Sequence, residues 1–111
     1  MTLHILWTNN NKESFISMIS LYALNSVKHG WWQKVNLILW GASVELVLKD
    51  PQIQTEILEL KNNGISLEAC LDCCNQYEAT NQFQKMGIDV KFMGRTLTEY
   101  LKSKNDKVIT F

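Results

Sequence analysis

Three cysteines within five positions are the residues of this sequence with the clearest potential for chemistry. Cys70, Cys73 and Cys74 are the only cysteines among its 111 residues. A thiolate is a nucleophile, and the pKa of a cysteine falls where backbone amides at a helix N-terminus face its sulfur. An odd number of closely spaced cysteines is unlike the paired framework of a small secreted domain, so we expect reduced thiols in a reducing compartment.

The spacing of the cysteines leaves redox chemistry open and disfavours zinc. Cys70-Leu71-Asp72-Cys73 has the spacing of a thioredoxin-type pair. A closed zinc site takes four ligands, but the chain has no second Cys-x-x-Cys, and neither His4 nor His29 is an obvious fourth ligand. We expect no metal and no organic cofactor. Glu68, on the same side of its strand as Cys70, would raise the thiol pKa if close and ionised, and a surface or interface salt bridge is its expected role.

Apolar runs predict the strands that position these thiols. Continuous or alternating apolar residues predict five strands, at Leu3–Trp7, Val35–Trp40, Ile65–Leu71, Ile88–Phe92 and Lys107–Phe111.

Apolar residues at three- and four-residue spacing predict helices between the strands. They cover Lys12–His29, a short segment around Val44–Leu48, Pro51–Asn63, Tyr77–Met86 and Thr96–Lys102. Asn10 with Glu13, and Thr96 with Glu99, have the spacing of capping boxes, and Asp50-Pro51 is typical of a helix start. Alternating strands and helices predict one α/β domain over residues 1–111, with three α/β/α layers and a five-stranded, mainly parallel sheet.

Three loops share the carboxyl edge of this sheet, where parallel sheets bind ligands. Besides the cysteine loop, they contain Asn9 and Asn10 after the first strand, and Trp40, Gly41 and Ser43 after the second. The asparagines and the serine offer hydrogen-bonding groups, and the glycine allows close approach of the backbone. These five residues are the candidate ligand-binding positions, although Asn-rich turns and buried tryptophans are also common as purely structural features.

Composition excludes several classes of partner. With 11 Lys+Arg and 11 Asp+Glu the formal net charge is zero. No stretch concentrates basic residues with aromatic residues between them, so the sequence does not predict nucleic-acid binding. No signal peptide is recognisable, and no apolar run reaches the roughly 18 residues of a membrane span, so we expect a cytoplasmic protein. Aromatic residues make up 10% of the chain, including Trp31-Trp32, which favours a homo-oligomer with aromatic side chains at its interface.

The pattern resembles the DsrE/DsrF-like family of sulfur-relay proteins, with the YchN-like fold. The resemblance covers essentially the whole chain and depends on Trp40-Gly41-Ala42-Ser43, on the strand from Gly64 to Cys70 and on Gly87-Ile88-Asp89-Val90. Its most specific element is the strand end Ala69-Cys70. The resemblance implies that Cys70 carries a persulfide and that the chain forms homotrimers or homohexamers.

The leading hypothesis is a cytoplasmic, sulfurtransferase-like sulfur carrier. Cys70 accepts sulfane sulfur from a donor protein and passes it to an acceptor protein, and Cys73 or Cys74 is a candidate resolving thiol. Two alternatives stay open: a non-catalytic binding or assembly subunit with the same fold, and a Cys70/Cys73 dithiol redox protein. We expect Cys70 to react before the other two thiols, because it ends a strand where ligand crevices open.

Overall fold

The structure, a computed structural model, describes residues 1–111, in which strands and helices alternate. The strands are β1 (Thr2–Trp7), β2 (Lys34–Leu39), β3 (Ser66–Cys70), β4 (Asp89–Lys91) and β5 (Asp106–Thr110). The helices are α1, which joins Lys12–Ser14, the π-helical Phe15–Ser20 and Leu21–Lys28, then α2 (Ala42–Lys49), α3 (Pro51–Asn62), α4 (Leu71–Gln76), α5 (Thr80–Lys85) and α6 (Gly94–Lys102). None of these helices combines the length and the apolar character needed to cross a membrane.

The five strands form one sheet in the order β4-β3-β2-β1-β5, and every neighbouring pair is parallel. From β1 to β4 the chain moves steadily towards one edge, so right-handed crossovers place α1 to α5 on one face, the main face. The connection from β4 to β5 runs back across the sheet and therefore places α6 on the opposite face. This second face carries the side chains of His4, Ile38 and Cys70. The predicted α/β fold is confirmed, with two helical layers of very unequal size.

The hydrophobic core lies on the main face, between the sheet and α1 to α5. Its largest member is Trp7, whose ring stacks on Phe15 with centroids 4.1 Å apart. Alternate residues of β1 and β2 point into this core, as the two-residue period of a strand requires. The core on the second face is much smaller, and its fully buried members are Ile38, Cys70 and Met93.

The chain after β3 differs from the sequence prediction. We predicted a loop followed by a helix over Tyr77–Met86, whereas α4 begins directly after Cys70 and ends at Gln76. A break with Glu78 at φ 55° then precedes α5. Six residues are less than two helical turns, too few to show a helical period in the sequence. Cys73 and Cys74 therefore lie on a helix.

Two helix starts are also corrected. Asn11, not Asn10, caps α1, because its Oδ1 accepts a hydrogen bond from the backbone N–H of Ser14 at 2.9 Å. Helix α6 begins at Gly94, two residues before the predicted capping residue Thr96. The start of α3 is as predicted, since Asp50 accepts hydrogen bonds from the first-turn amides of Gln52 and Ile53.

Candidate functional site

Cys70 is the last residue of β3 and the N-cap residue of α4. Its side chain lies on the second face, in a small apolar cluster with Ile38 and Met93, and the residue is only 4% exposed. None of the five surface cavities is lined by a cysteine. The thiol therefore lies where the sequence predicts it, at the carboxyl edge, but it is covered.

Opposing effects act on the Cys70 thiol. Burial raises its pKa, and the neighbouring Cys73 thiol also raises it. The backbone amides of Cys73 and Asp72, at the start of α4, act in the opposite direction. Burial is the largest effect, so the pKa of Cys70 is raised overall in this closed arrangement. A stable thiolate at Cys70 therefore requires both the backbone amides and greater exposure of the sulfur to solvent.

Cys73 lies one helical turn further along α4 and is half-buried. Its sulfur accepts a hydrogen bond from the backbone N–H of Gly41 at 3.3 Å. Gly41 adopts φ 68° and ψ −133°, a conformation that side chains other than hydrogen rarely allow. Glycine at this position is required by the positive φ, and its backbone N–H faces the Cys73 sulfur.

Cys74 is separated from the other two thiols by the phase of the helix. It is fully buried in the main-face core, and its burial raises the pKa of the thiol to about 12, with smaller contributions from Cys70 and Cys73. The structure brings Cys70 and Cys73 together and directs Cys74 elsewhere. A buried thiol in apolar surroundings is an inert core residue.

The other candidate residues mostly bond to the backbone around them. Ser43 is buried and its hydroxyl donates to the Trp7 carbonyl at 2.6 Å, which ties the ends of β1 and β2 together. Asn9 accepts hydrogen bonds from the Asn11 backbone and, at 3.4 Å, from the Trp7 indole. Trp40 packs against the cluster around Cys70.

Asn10, the remaining candidate, is exposed. Of the five predicted ligand-binding residues, Gly41 and Trp40 are the two that adjoin the thiols.

A row of polar side chains crosses the second face, which the sequence analysis did not predict. His4 lies between Asp106, 2.8 Å from its Nε2, and Asn36, 2.9 Å from its Nδ1. The Asn36 amide also donates to Glu68, and Glu68 pairs with Lys91 at 2.6 Å. The row therefore has one member from every strand. The signal in the sequence is a polar residue within each strand: His4, Asn36, Glu68, Lys91 and Asp106.

Tyr100 of α6 connects this row to the helix above it. Its hydroxyl donates to Glu68 Oε1 at 2.8 Å, and its ring stacks on His4 with centroids 3.6 Å apart. Burial, followed by the bond to Glu68, raises the pKa of Tyr100, and Glu68 likewise raises the pKa of Lys91. Glu68 forms a salt bridge, as expected, but from a buried position and not from the surface. No group of three or more His, Cys, Asp or Glu side chains converges to hold a metal ion.

Replacing Asp106 with asparagine is expected to lower the free energy of unfolding at neutral pH by less than about 1 kcal/mol, since the pair with His4 is partly exposed. His4, followed by Ser103, holds the pKa of Asp106 below its usual range. Such a carboxyl stabilises the fold above its unfolded pKa of about 3.9, and the contribution is lost as the pH falls through the lower folded value. Urea denaturation at a series of pH values should therefore show the gap between wild type and Asp106→Asn narrowing in acid. A gap of constant size contradicts the prediction.

Comparison with known proteins agrees with this architecture. The model of the DsrE/DsrF-like family matches residues 3–111. The structure of a conserved protein of unknown function, BT1422 from Bacteroides thetaiotaomicron, is similar, with 49% identity, a TM-score of 0.95, and coverage of 99% of this chain and 94% of the other. No curated protein gives a significant match.

Two distant structures share the fold at 14% identity. MTH1491 from Methanobacterium thermoautotrophicum, a protein of unknown function, has a TM-score of 0.72, and the match covers 99% of this chain and 98% of the MTH1491 chain. The ychN protein from E. coli has a TM-score of 0.70, and the match covers 99% of this chain and 97% of the ychN chain. The fold expected from the resemblance is confirmed. Because the family match spans nearly the whole chain, this protein belongs to the DsrE/DsrF-like family.

Proposed function

We propose that this protein is a sulfur carrier that holds sulfane sulfur as a persulfide on Cys70, with Cys73 as the resolving thiol. The observation that carries the proposal is the position of Cys70 at the strand end, where the amides of Asp72 and Cys73 oppose the larger effect of burial on its pKa and a second thiol is adjacent. Membership of the DsrE/DsrF-like family supports it. Burial of Cys74 favours Cys73 over Cys74 as the resolving thiol.

The proposed transfer is a thiol–disulfide type of exchange. The Cys70 thiolate attacks the outer sulfur of a donor persulfide, the new S–S bond forms as the donor S–S bond breaks, and the donor leaves as a thiolate. An acceptor thiolate then removes the outer sulfur in the same way and regenerates Cys70. In the absence of an acceptor, the Cys73 thiolate attacks the inner sulfur, which forms a Cys70–Cys73 disulfide and releases hydrosulfide.

This chemistry fits a cytoplasmic protein, because the carrier needs reduced thiols, and all three cysteines are free. Its proposed partners are a donor and an acceptor protein of sulfane sulfur. We also propose a homotrimer or homohexamer. Large apolar side chains that a monomer leaves exposed favour such an assembly, among them Phe92 at 66%, Leu101 at 64% and Trp31 at 57%.

An assembly or binding subunit without sulfur chemistry is the second candidate function. The same exposed apolar side chains favour it, and so does the covered position of Cys70. In that function the cysteines are packing residues. The two candidates differ in whether the protein gains sulfur.

Incubation of the reduced protein with a small-molecule persulfide, followed by intact-mass analysis, tests the proposal. We expect an initial mass increase of one sulfur atom per chain, followed by a species lacking two hydrogens as Cys73 resolves the persulfide to a disulfide, and a thiol reductant should reverse both changes. Alkylation of the protein before incubation should prevent the gain. A protein that stays at its unmodified mass, while a free low-molecular-weight thiol in the same solution is converted to its persulfide, contradicts the carrier function and favours the assembly subunit.

A further inference from the structure

Helix α6 covers Cys70, although few side chains attach this helix to the sheet. No residue of α6 is fully buried. Met93, directly before the helix, is 1% exposed and packs with Cys70 and Ile38. Tyr100, near the end of the helix, packs against the same cluster and bonds to Glu68. These two side chains, seven residues apart, are the residues of this segment that pack in the Cys70 cluster.

The polar row beneath α6 is complete without a ligand. Both oxygens of Glu68 are occupied, Oε1 by Asn36 and Tyr100, and Oε2 by Lys91. Both ring nitrogens of His4 also have partners. A cavity of about 200 Å³ adjoins these side chains, but no buried polar atom that lines it lacks a hydrogen-bond partner. The row is therefore poorly suited to recognising a molecule in that cavity.

The group outside the sheet that the row holds is Tyr100. A hydrogen bond to a buried carboxylate is among the stronger polar contacts in proteins, and a stacked ring adds to it. The other apolar side chains of α6 are less enclosed, since Leu97 is half-buried and Leu101 is 64% exposed. The attachment of α6 therefore depends to a large extent on one tyrosine.

We infer that α6 is a lid over Cys70 and that Tyr100, held by Glu68 and His4, is the latch that keeps it closed. When Tyr100 leaves Glu68, the helix and Met93 move away from the sheet and the thiol becomes accessible to a reaction partner. Opening also returns Cys70 to water and removes the burial that raises its pKa. This inference goes beyond the proposed function and does not depend on sulfur transfer, because it concerns access to the thiol.

Alkylation of the native protein tests the lid. Iodoacetamide is added to wild type and to Tyr100→Phe, and labelling of each cysteine is followed by fragment-ion mass spectrometry. The phenylalanine keeps the stacked ring and removes the bond to Glu68, so we expect Cys70 to be labelled about tenfold faster. Cys74, buried in the main-face core, reports global unfolding and should keep its wild-type rate.

Two further variants separate the latch from general destabilisation. Tyr22→Phe removes another tyrosine hydroxyl, one on α1 that accepts a hydrogen bond from the Trp32 indole N–H at 3.1 Å, and should leave Cys70 labelling unchanged. Met93→Ala uncovers the thiol directly and should accelerate Cys70 labelling with the Tyr100–Glu68 bond still in place. An unchanged Cys70 rate in Tyr100→Phe, or an equal rise for Cys70 and Cys74, overturns the inference.

The outcomes also distinguish the lid from sulfur transfer. Faster alkylation of Cys70 in Tyr100→Phe, in a protein that gains no sulfur from a persulfide, supports the lid and removes the carrier function. A protein that gains sulfur but shows the same Cys70 alkylation rate in wild type and Tyr100→Phe retains the carrier function without a lid.

Discussion

Replacing Cys70 with serine is expected to abolish the sulfur gain, while replacing Cys74 with alanine leaves it intact. A serine hydroxyl cannot accept sulfane sulfur under conditions in which a thiolate does, so the effect is a complete loss. Cys74 is fully buried among core residues on the main face, and its thiol has a pKa of about 12, so it holds almost no thiolate at neutral pH. Each variant lacks one thiol, but only Cys70→Ser lacks the proposed sulfur acceptor.

Cys73→Ser completes this set of variants. If Cys73 resolves the persulfide, this variant should gain sulfur on Cys70 and keep it longer than wild type, because no neighbouring thiolate attacks the inner sulfur. Intact-mass spectra recorded over time after removal of the donor measure that lifetime. Sulfur gain at the wild-type rate in Cys70→Ser, together with its loss in Cys73→Ser, assigns the carrier role to Cys73, the more exposed thiol beside the Gly41 amide.

A dithiol redox function makes a different prediction for the same proteins. It requires a reversible Cys70–Cys73 disulfide that forms with an oxidant in the absence of any sulfur donor. The two residues lie at the start of α4, three positions apart, which is the spacing of one helical turn. Titration of wild type against a glutathione redox buffer detects such a disulfide, and Cys74→Ala should titrate in the same way.

The sequence predicts the sheet well because its strands are short, apolar and separated by clear turn signals. Leu3–Trp7 and Val35–Trp40 were predicted, and the strands are Thr2–Trp7 and Lys34–Leu39. Burial on both faces makes a strand apolar throughout, and that pattern needs no knowledge of its neighbours. The third strand was predicted from alternating apolar residues over Ile65–Leu71 and ends at Cys70, so the position of the candidate site was predictable to within one residue.

The separation of the three thiols was not predictable from their spacing alone. Side chains alternate between faces in a strand, but they turn by about 100° per residue in a helix. Because the chain changes from strand to helix at Cys70, Cys73 stays near Cys70 while Cys74 points into the main-face core. A short helix has too few residues to show its period, so the sequence did not reveal this change.

The polar row of the second face depends on strand order, which the sequence does not state. His4, Asn36 and Glu68 are far apart along the chain and become neighbours only because β1, β2 and β3 are adjacent and in register. Each polar residue alone is unremarkable in a strand that is otherwise apolar. Their hydrogen bonds explain why these polar groups are tolerated in buried positions.

Replacing Trp7 with alanine is expected to lower the free energy of unfolding by about 3–5 kcal/mol. Trp7 is 0% exposed and its indole stacks on Phe15 with an angle of 23° between the ring planes. The truncation leaves a large void, because the surrounding residues belong to a close-packed core and can collapse only partly. With a loss of this size, a small domain is close to its limit of stability.

Trp31→Ala is the matched control, since it removes the same side chain from a position that is 57% exposed. Trp31 stacks on His29 and contacts the Tyr22 ring at a tilt near the surface, so in the dissociated chain its loss should change the free energy of unfolding by no more than about 0.5 kcal/mol. Urea denaturation followed by far-ultraviolet circular dichroism measures both variants without depending on tryptophan fluorescence. Equal losses in the two variants would mean that Trp31 is buried in an assembly in solution, and a smaller loss for Trp7 than for Trp31 would contradict the position of Trp7 in the core.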